Sequence, residues 1–147
     1  MQTENECGDG KNTWAYALYV FSLMQHYINN GVVAYVYWNM VLPPGGVSTW
    51  GWPQNAMITA DPEGGRITHN PEFYVMKHCA NFVKPGAVVC GLRGPWQAMS
   101  VAFRNPDGRH VLVTANPCAR PESVTIVHGS RRCAIELPAR SLNTLVF

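Results

Sequence analysis

The feature that most narrows the fold is a helical repeat followed, after one Asn-Gly break, by an unbroken apolar run. From about Trp14 to Asn29 apolar residues recur at Leu18, Phe21, Met24 and Ile28, a spacing that puts them on one helical face. Asn12 or Thr13 supplies a capping side chain ahead of this stretch, and Asn30-Gly31 ends it. Val32 to Trp38 then reads VVAYVYW without alternation. A strand with one wet face alternates apolar and polar residues, whereas a strand covered on both faces need not. A helix followed by such a run predicts a parallel α/β unit.

The pattern changes again downstream. Ala60 to Gly65, ADPEGG, predicts a turn between two short extended pieces, Met57 to Thr59 and Arg66 to Thr68. Asn70 serves as a cap with Pro71 at the first helical position, opening a helix through Phe73, Tyr74, Met76, His78, Ala80 and Val83 that Lys84-Pro85-Gly86 stops. From Val88 onward, short β-rich runs alternate with turn residues. Ala98 to Arg104 and His110 to Ala115 flank Asn105-Pro106-Asp107-Gly108, a hairpin signal. Ser123 to Val127, Cys133 to Leu137 and Leu142 to Phe147 predict three more strands. The expected fold class is therefore α/β plus all-β, with residues 1–84 in the first part and 85–147 in the second.

Composition excludes several roles. With 147 residues, 47% of them apolar, the chain can bury a core. Only 14% of residues are charged, the net charge is +2, and no run of lysine or arginine marks a face for nucleic acid. No apolar stretch is long enough to predict a membrane span, and MQTENECGDGKN has no hydrophobic segment of a secretory signal. Five cysteines, Cys7, Cys79, Cys90, Cys118 and Cys133, form no CxxC pair, so neither a disulfide scaffold nor a zinc site is indicated. The compartment stays open. One α/β unit gives its parallel strands too few neighbours, since buried parallel strands need partners on both edges. The expectation is a C-terminal piece of a larger α/β enzyme.

Chemistry gathers after the apolar run. Trp38, Trp50 and Trp52 fall within fifteen residues, beside Asn39, Gln54 and Asn55. Aromatic faces cover the C–H face of a pyranose and amides bind its hydroxyls, and strand-helix barrels place such groups at the carboxyl ends of strands. His26, His69, His78, His110 and His128 show no metal-ligand spacing. Cys7 reads either as a reactive thiol or as a small buried residue. Gly8-Asp9-Gly10 reads as a turn after a strand, because it lacks the lysine-serine pair of a phosphate loop. Arg131-Arg132 reads as a solvated pair on a strand edge.

The ordered set QTENECGDG, YVYWNMVLPPGG with STWGWPQN, HNPEFYVMKHCANFVKPG and a β-rich tail containing NPDGRHVLVTAN resembles glycoside hydrolase family 30, which includes the glucosylceramidases. The resemblance covers nearly the whole chain. It implies a (β/α)8 barrel fused to a β-sandwich, with retention of configuration at β-glycosides. On it, the chain is the C-terminal fragment of such a barrel, from the end of the seventh strand to the eighth helix, followed by the sandwich. Thr3-Glu4 matches the family's nucleophile motif, which makes Glu4 the candidate nucleophile. Glu6, two residues on, shares a strand face with Glu4 and is the alternative carboxylate. A retaining mechanism needs a second carboxyl about 5 Å away, and no part of this chain matches the strand that carries the family's general acid/base. Trp38 and Asn39 are the expected sugar platform and its hydrogen-bonding neighbour, although Asn39 could instead pair with loop backbone. One of Trp50 and Trp52 matches the family's loop tryptophan. The resemblance implies no cofactor, a β-glycoside substrate of glucosylceramide or β-glucan type, and a missing N-terminal barrel segment as partner. The isolated chain is expected to be close to inactive. Two other readings stand beside it: a catalytically inactive carbohydrate-binding remnant, and a structural α+β domain whose tryptophans are core.

Overall fold

In the computed structural model, residues 1–6 and 8–147 are described, Glu6 through its backbone alone. The chain opens with β1 (Gln2–Glu6), crosses through α1 (Trp14–Asn29) and returns as β2 (Tyr35–Trp38), which pairs with β1 in parallel. This is the predicted parallel unit, and α1 has the expected bounds. Its cap is Thr13, whose hydroxyl accepts from the Tyr16 N–H at 3.3 Å. Asn12 has another task, described below.

The strand expected over Val32 to Trp38 is shorter than predicted and is not covered on both faces. Val32 to Ala34 precede β2, and Val33 is 93% exposed. Within β2 burial alternates: Tyr37 is buried, while Val36 and Trp38 are half-exposed. The sequence lacks alternation because both faces are apolar, yet α1 shields only one of them.

Three short strands follow. β3 (Val41–Leu42) pairs in parallel with β4 (Ile58–Ala60), which turns back through residues 61–66 to pair antiparallel with β5 (Ile67–His69). The turn and its flanking strands match expectation within a residue, whereas β3 was not foreseen. Next, α2 (Pro71–Ala80) has proline at its start as predicted but ends three residues before Val83. Asn70 does not cap it through its side chain. Its Nδ2 donates instead to the Ala56 carbonyl and the Thr59 hydroxyl, each at 2.8 Å, and so holds β4 against the start of α2.

The remaining strands are antiparallel. A four-stranded sheet has the order β11 (Ser141–Val146), β8 (His110–Asn116), β7 (Ser100–Arg104) and β6 (Val88–Cys90), and β9 (Glu122–His128) pairs with β10 (Arg131–Leu137) in a separate hairpin. A 3₁₀ turn, Gln97–Met99, occupies the beginning of the strand expected from Ala98. The turn between β7 and β8 is the predicted one. Gly108, at φ +85°, donates to the Asn105 carbonyl at 2.9 Å, and Arg104 then pairs with His110. Asn116, fully buried, donates to the carbonyls of Arg120, Leu137 and Pro138 and fastens the β9–β10 hairpin to the end of β8.

One core joins these parts. Ala17, Val20, Phe21 and Met24 of α1, with Tyr37 and Val75, pack against Val101, Phe103, Val111, Val113, Ala115 and Leu142 of the four-stranded sheet. Trp14 Nε1 also donates to the Arg140 carbonyl, linking the first turn of α1 to the turn before β11. No described helix is long and apolar enough to cross a membrane.

Candidate functional site

The parallel register sets the carboxyl ends of β1 and β2 side by side. Asn5 lies opposite Tyr37 and Glu6 opposite Trp38, with an irregularity between Gln2 and Asn5. Asn5 and Tyr37 are both buried. Glu4 precedes that pair, Trp38 follows it, and both side chains are open to solvent. The side chain of Glu6 and the whole of Cys7 lie outside the described residues, so the alternatives raised for them do too.

The loop after β1 leans on the segment that ends the tryptophan loop. Gly10 is at φ +68°, and a Cβ there would come within 2.7 Å of the Pro53 Cβ, so only glycine permits this approach. The Asn12 side chain accepts from the Ala56 N–H at 3.0 Å, which is why it is unused as a helix cap. Asp9 and Gly10 lie in a bend after β1 that runs on to Lys11.

Asn39 follows Trp38 through a cis peptide and is buried. Its Nδ2 donates to Gln54 Oε1 at 3.1 Å and to the Asn55 carbonyl at 3.4 Å. The structure thus gives Asn39 the loop-backbone pairing weighed for it, together with a bond to a second amide. Between these anchors the loop is stapled. The Gln54 N–H donates to the Gly46 carbonyl at 3.1 Å, Val47 bridges Pro53, and the Ser48 hydroxyl accepts from the N–H groups of Trp50 and Trp52. At its tip the two indoles lie 5.6 Å apart, tilted by 32°. Trp50 is 76% exposed and Trp52 59%, values a core role would not give.

Beneath the loop is a buried polar layer that sequence reasoning only partly anticipated. Gln54 and Asn55 stood out as amides beside tryptophans, but Glu72 did not. It sits in the first turn of α2, fully buried, and accepts from Asn55 Nδ2 at 2.8 Å. Burial pushes its carboxyl above the ordinary range against the pull of its own backbone N–H and of Asn55, and Asp9 adds to the rise. The available signal was an acid at the second position of a helix, which usually marks a solvated first turn.

The site is an open surface. Two cavities, of about 1190 and 530 Å³, lie elsewhere, one between the ends of α1 and α2 and β6, the other between His110, His128 and Phe147. Among the described residues no cluster of three or more histidine, cysteine or acidic side chains could hold a metal ion. Cys79 is partly buried, and desolvation pushes its thiol up to about 12, which makes it a poor nucleophile.

Known proteins resemble this arrangement. The model of the glycosyl hydrolase family 30 beta sandwich domain matches residues 86–145. A Caenorhabditis elegans protein named "Putative glucosylceramidase 2" is 34% identical over 116 residues, which cover 74% of this chain and 22% of that protein. Residues 86–145 are the beta sandwich domain of glycoside hydrolase family 30. The chain corresponds to the family's C-terminal portion and spans about a fifth of that relative. The crystal structure of SrfJ from Salmonella typhimurium superposes over all of the chain and 33% of its own length, with a TM-score of 0.82 and 26% identity. An endo-beta1,6-glucanase superposes over 97% of the chain and 34% of its own length, with a TM-score of 0.79 and 23% identity, a likeness of fold. The antiparallel strands after residue 85 thus lie in the family's β-sandwich domain.

Proposed function

We propose that this chain is the C-terminal part of a retaining β-glycosidase of glucosylceramidase type, in which Glu4 is the nucleophile. On this reading residues 1–84 are the last part of a (β/α)8 barrel and residues 85–147 the sandwich. Glu4 attacks the anomeric carbon and forms a glycosyl ester, which water then hydrolyses. Trp38 stacks on the reacting sugar, Asn39 orients hydroxyls, and Trp50 and Trp52 extend the aromatic wall. The proton for the leaving group comes from a second carboxyl on an upstream barrel segment, the partner this chain needs.

One observation carries the reading. Glu4 and Trp38 flank a buried pair on adjacent parallel strands and face solvent, on a two-stranded sheet whose outer edges pair with no other described strand. Such a sheet is half of something larger, because unpaired parallel edges are rarely left open. The half-exposed Val36 belongs to the same bare face. The substrate follows from the family as a β-glucoside, with glucosylceramide and β-glucan the two types to compare.

The test compares the 147-residue chain with the same chain joined to an in-frame upstream barrel segment, using an aryl β-glucoside. General acid catalysis contributes about 100- to 10,000-fold, so the short chain should be close to inert and the joined protein active. Glycosidase-like turnover by the short chain alone would contradict the proposal. A second reading, a sugar-binding remnant without catalysis, is favoured by the exposed Trp50–Trp52 pair, and it predicts saturable quenching of tryptophan fluorescence by β-glucosides in the short chain.

A further inference from the structure

Glu72 and Asn55 are both fully buried, and a single hydrogen bond joins them, from Asn55 Nδ2 to Glu72 Oε1 at 2.8 Å. The remaining polar atom of each side chain, Glu72 Oε2 and Asn55 Oδ1, is buried with no hydrogen-bond partner among the described residues. Two orphaned acceptors side by side are unusual, since buried polar atoms are nearly always satisfied. As a carboxylate and an amide oxygen they cannot satisfy each other, because both only accept. One proton removes both defects together. A neutral carboxylic acid carries an O–H donor, and that donor can return a bond to the amide oxygen.

The charges nearby favour this state. The described ion pairs are Arg109–Asp107 and Arg120–Glu122, both in the antiparallel part, so neither gives Glu72 a countercharge. The charged group acting on it is Asp9, of the same sign, and burial works in the same direction. Its place in the first turn of α2 favours ionisation, as do its backbone N–H and the Asn55 bond, but burial outweighs them.

We propose that Glu72 is held as a neutral acid whose Oε2–H donates to Asn55 Oδ1, and that this closed acid–amide pair positions the segment carrying Gln54 and Asn55 beneath the tryptophan loop. The consequence for sugar binding rests on the function proposed above, whereas the pair itself does not. Asn55 is where the supports of the loop cross. Its carbonyl accepts from Asn39, its neighbour Gln54 accepts from the Asn39 amide, and its other neighbour Ala56 is held by Asn12 and Asn70. Fixing the Asn55 side chain at both ends sets the height of that segment against α2. Glu72 is then a positioning residue, for it stays below the surface where a sugar would lie.

The pair predicts how two variants differ. Glu72→Gln offers one N–H donor and one carbonyl acceptor in the same places, so it rebuilds the ring without an acid. Glu72→Leu fills the space and leaves both oxygen and nitrogen of Asn55 unsatisfied. In the 147-residue chain at neutral pH, infrared spectroscopy should show the C=O stretch of a protonated carboxylic acid, lost in Glu72→Gln. Glu72→Gln should match the parent in thermal stability and in tryptophan emission, while Glu72→Leu should melt earlier and shift the emission. In the joined protein, Glu72→Gln should keep the parent KM and Glu72→Leu should raise it. An ionised Glu72 at neutral pH, or a Glu72→Gln variant as damaged as Glu72→Leu, overturns the proposal. A joined protein without activity whose protonated carboxyl is still seen overturns the glycosidase reading and supports the pair.

Discussion

Asn39 Nδ2 donates to Gln54 Oε1 at 3.1 Å, so the residue that follows β2 is bound to the residue that closes the tryptophan loop. Both are buried, each 9% exposed. Asn39→Ala removes one partner from a buried amide and one from the Asn55 carbonyl, a loss of about 1–3 kcal/mol. Denaturant unfolding should show that loss as a lower midpoint at an unchanged slope. In a protein extended by its barrel segment, the same variant should bind β-glucosides more weakly.

Trp50 and Trp52 give a contrasting expectation. Because both indoles are mostly solvent-exposed, Trp50→Ala and Trp52→Ala should each change stability by no more than about 0.5 kcal/mol. Phe21→Ala, in the core beside them in size but fully buried, should cost about 3–5 kcal/mol. Thermal melts of the three variants separate a binding surface from a packed one. A large loss at either tryptophan would return the loop to the core.

Two of the shifted groups on α2, His78 and Glu72, pull stability in opposite directions with pH. His78, whose Nδ1 lies 2.7 Å from the Thr144 hydroxyl of β11, is held below its ordinary value of 6.5 by burial, with Lys77 adding to the effect. The unfolded chain therefore takes up a proton before the folded one does, and stability falls as pH drops below 6.5 towards the lowered value. Glu72 has the opposite sign, since its raised value makes its contribution full below 4.5 and lost as pH rises through the folded value. Melting temperatures of His78→Gln between about pH 7 and pH 5 should fall less than those of the parent. An identical decline in both would show that His78 is not the titrating group.

Much of the fold was legible because local signals agreed with tertiary context. Leu18, Phe21, Met24 and Ile28 mark a helix face, and that helix is bounded where Thr13 and Asn30 predict. Asn105 to Gly108 form the predicted hairpin because its glycine needs a positive φ. What misled was the run from Val32 to Trp38, whose apolar character says nothing about which neighbours are present. A strand records the faces it is built to cover, and Val36 and Trp38 are only half covered by the described residues.

The site was legible in its surface and not in its support. Tryptophans and amides in a glycine-rich loop are the residue types on which the proposed sugar site rests. Asn12 and Asn70 read as helix caps because of their neighbours in sequence, yet Asn12 binds Ala56, and Asn70 binds Ala56 and Thr59, through contacts that no local rule contains. Glu72 was invisible for the same reason. An acid in a first helical turn is ordinarily solvated, and only the packing of α2 beneath residues 54–56 buries it.

The nucleophile is the claim on which the enzyme account depends, and it can be read from one covalent bond. The chain joined to its upstream barrel segment is treated with a 2-deoxy-2-fluoroglucosyl fluoride, which slows hydrolysis of a glycosyl ester, and the labelled peptide is sequenced by mass spectrometry. The account predicts one sugar adduct, on Glu4, with labelling and activity both abolished in Glu4→Gln. An adduct on Glu6 or on any other carboxylate in an active protein would contradict it.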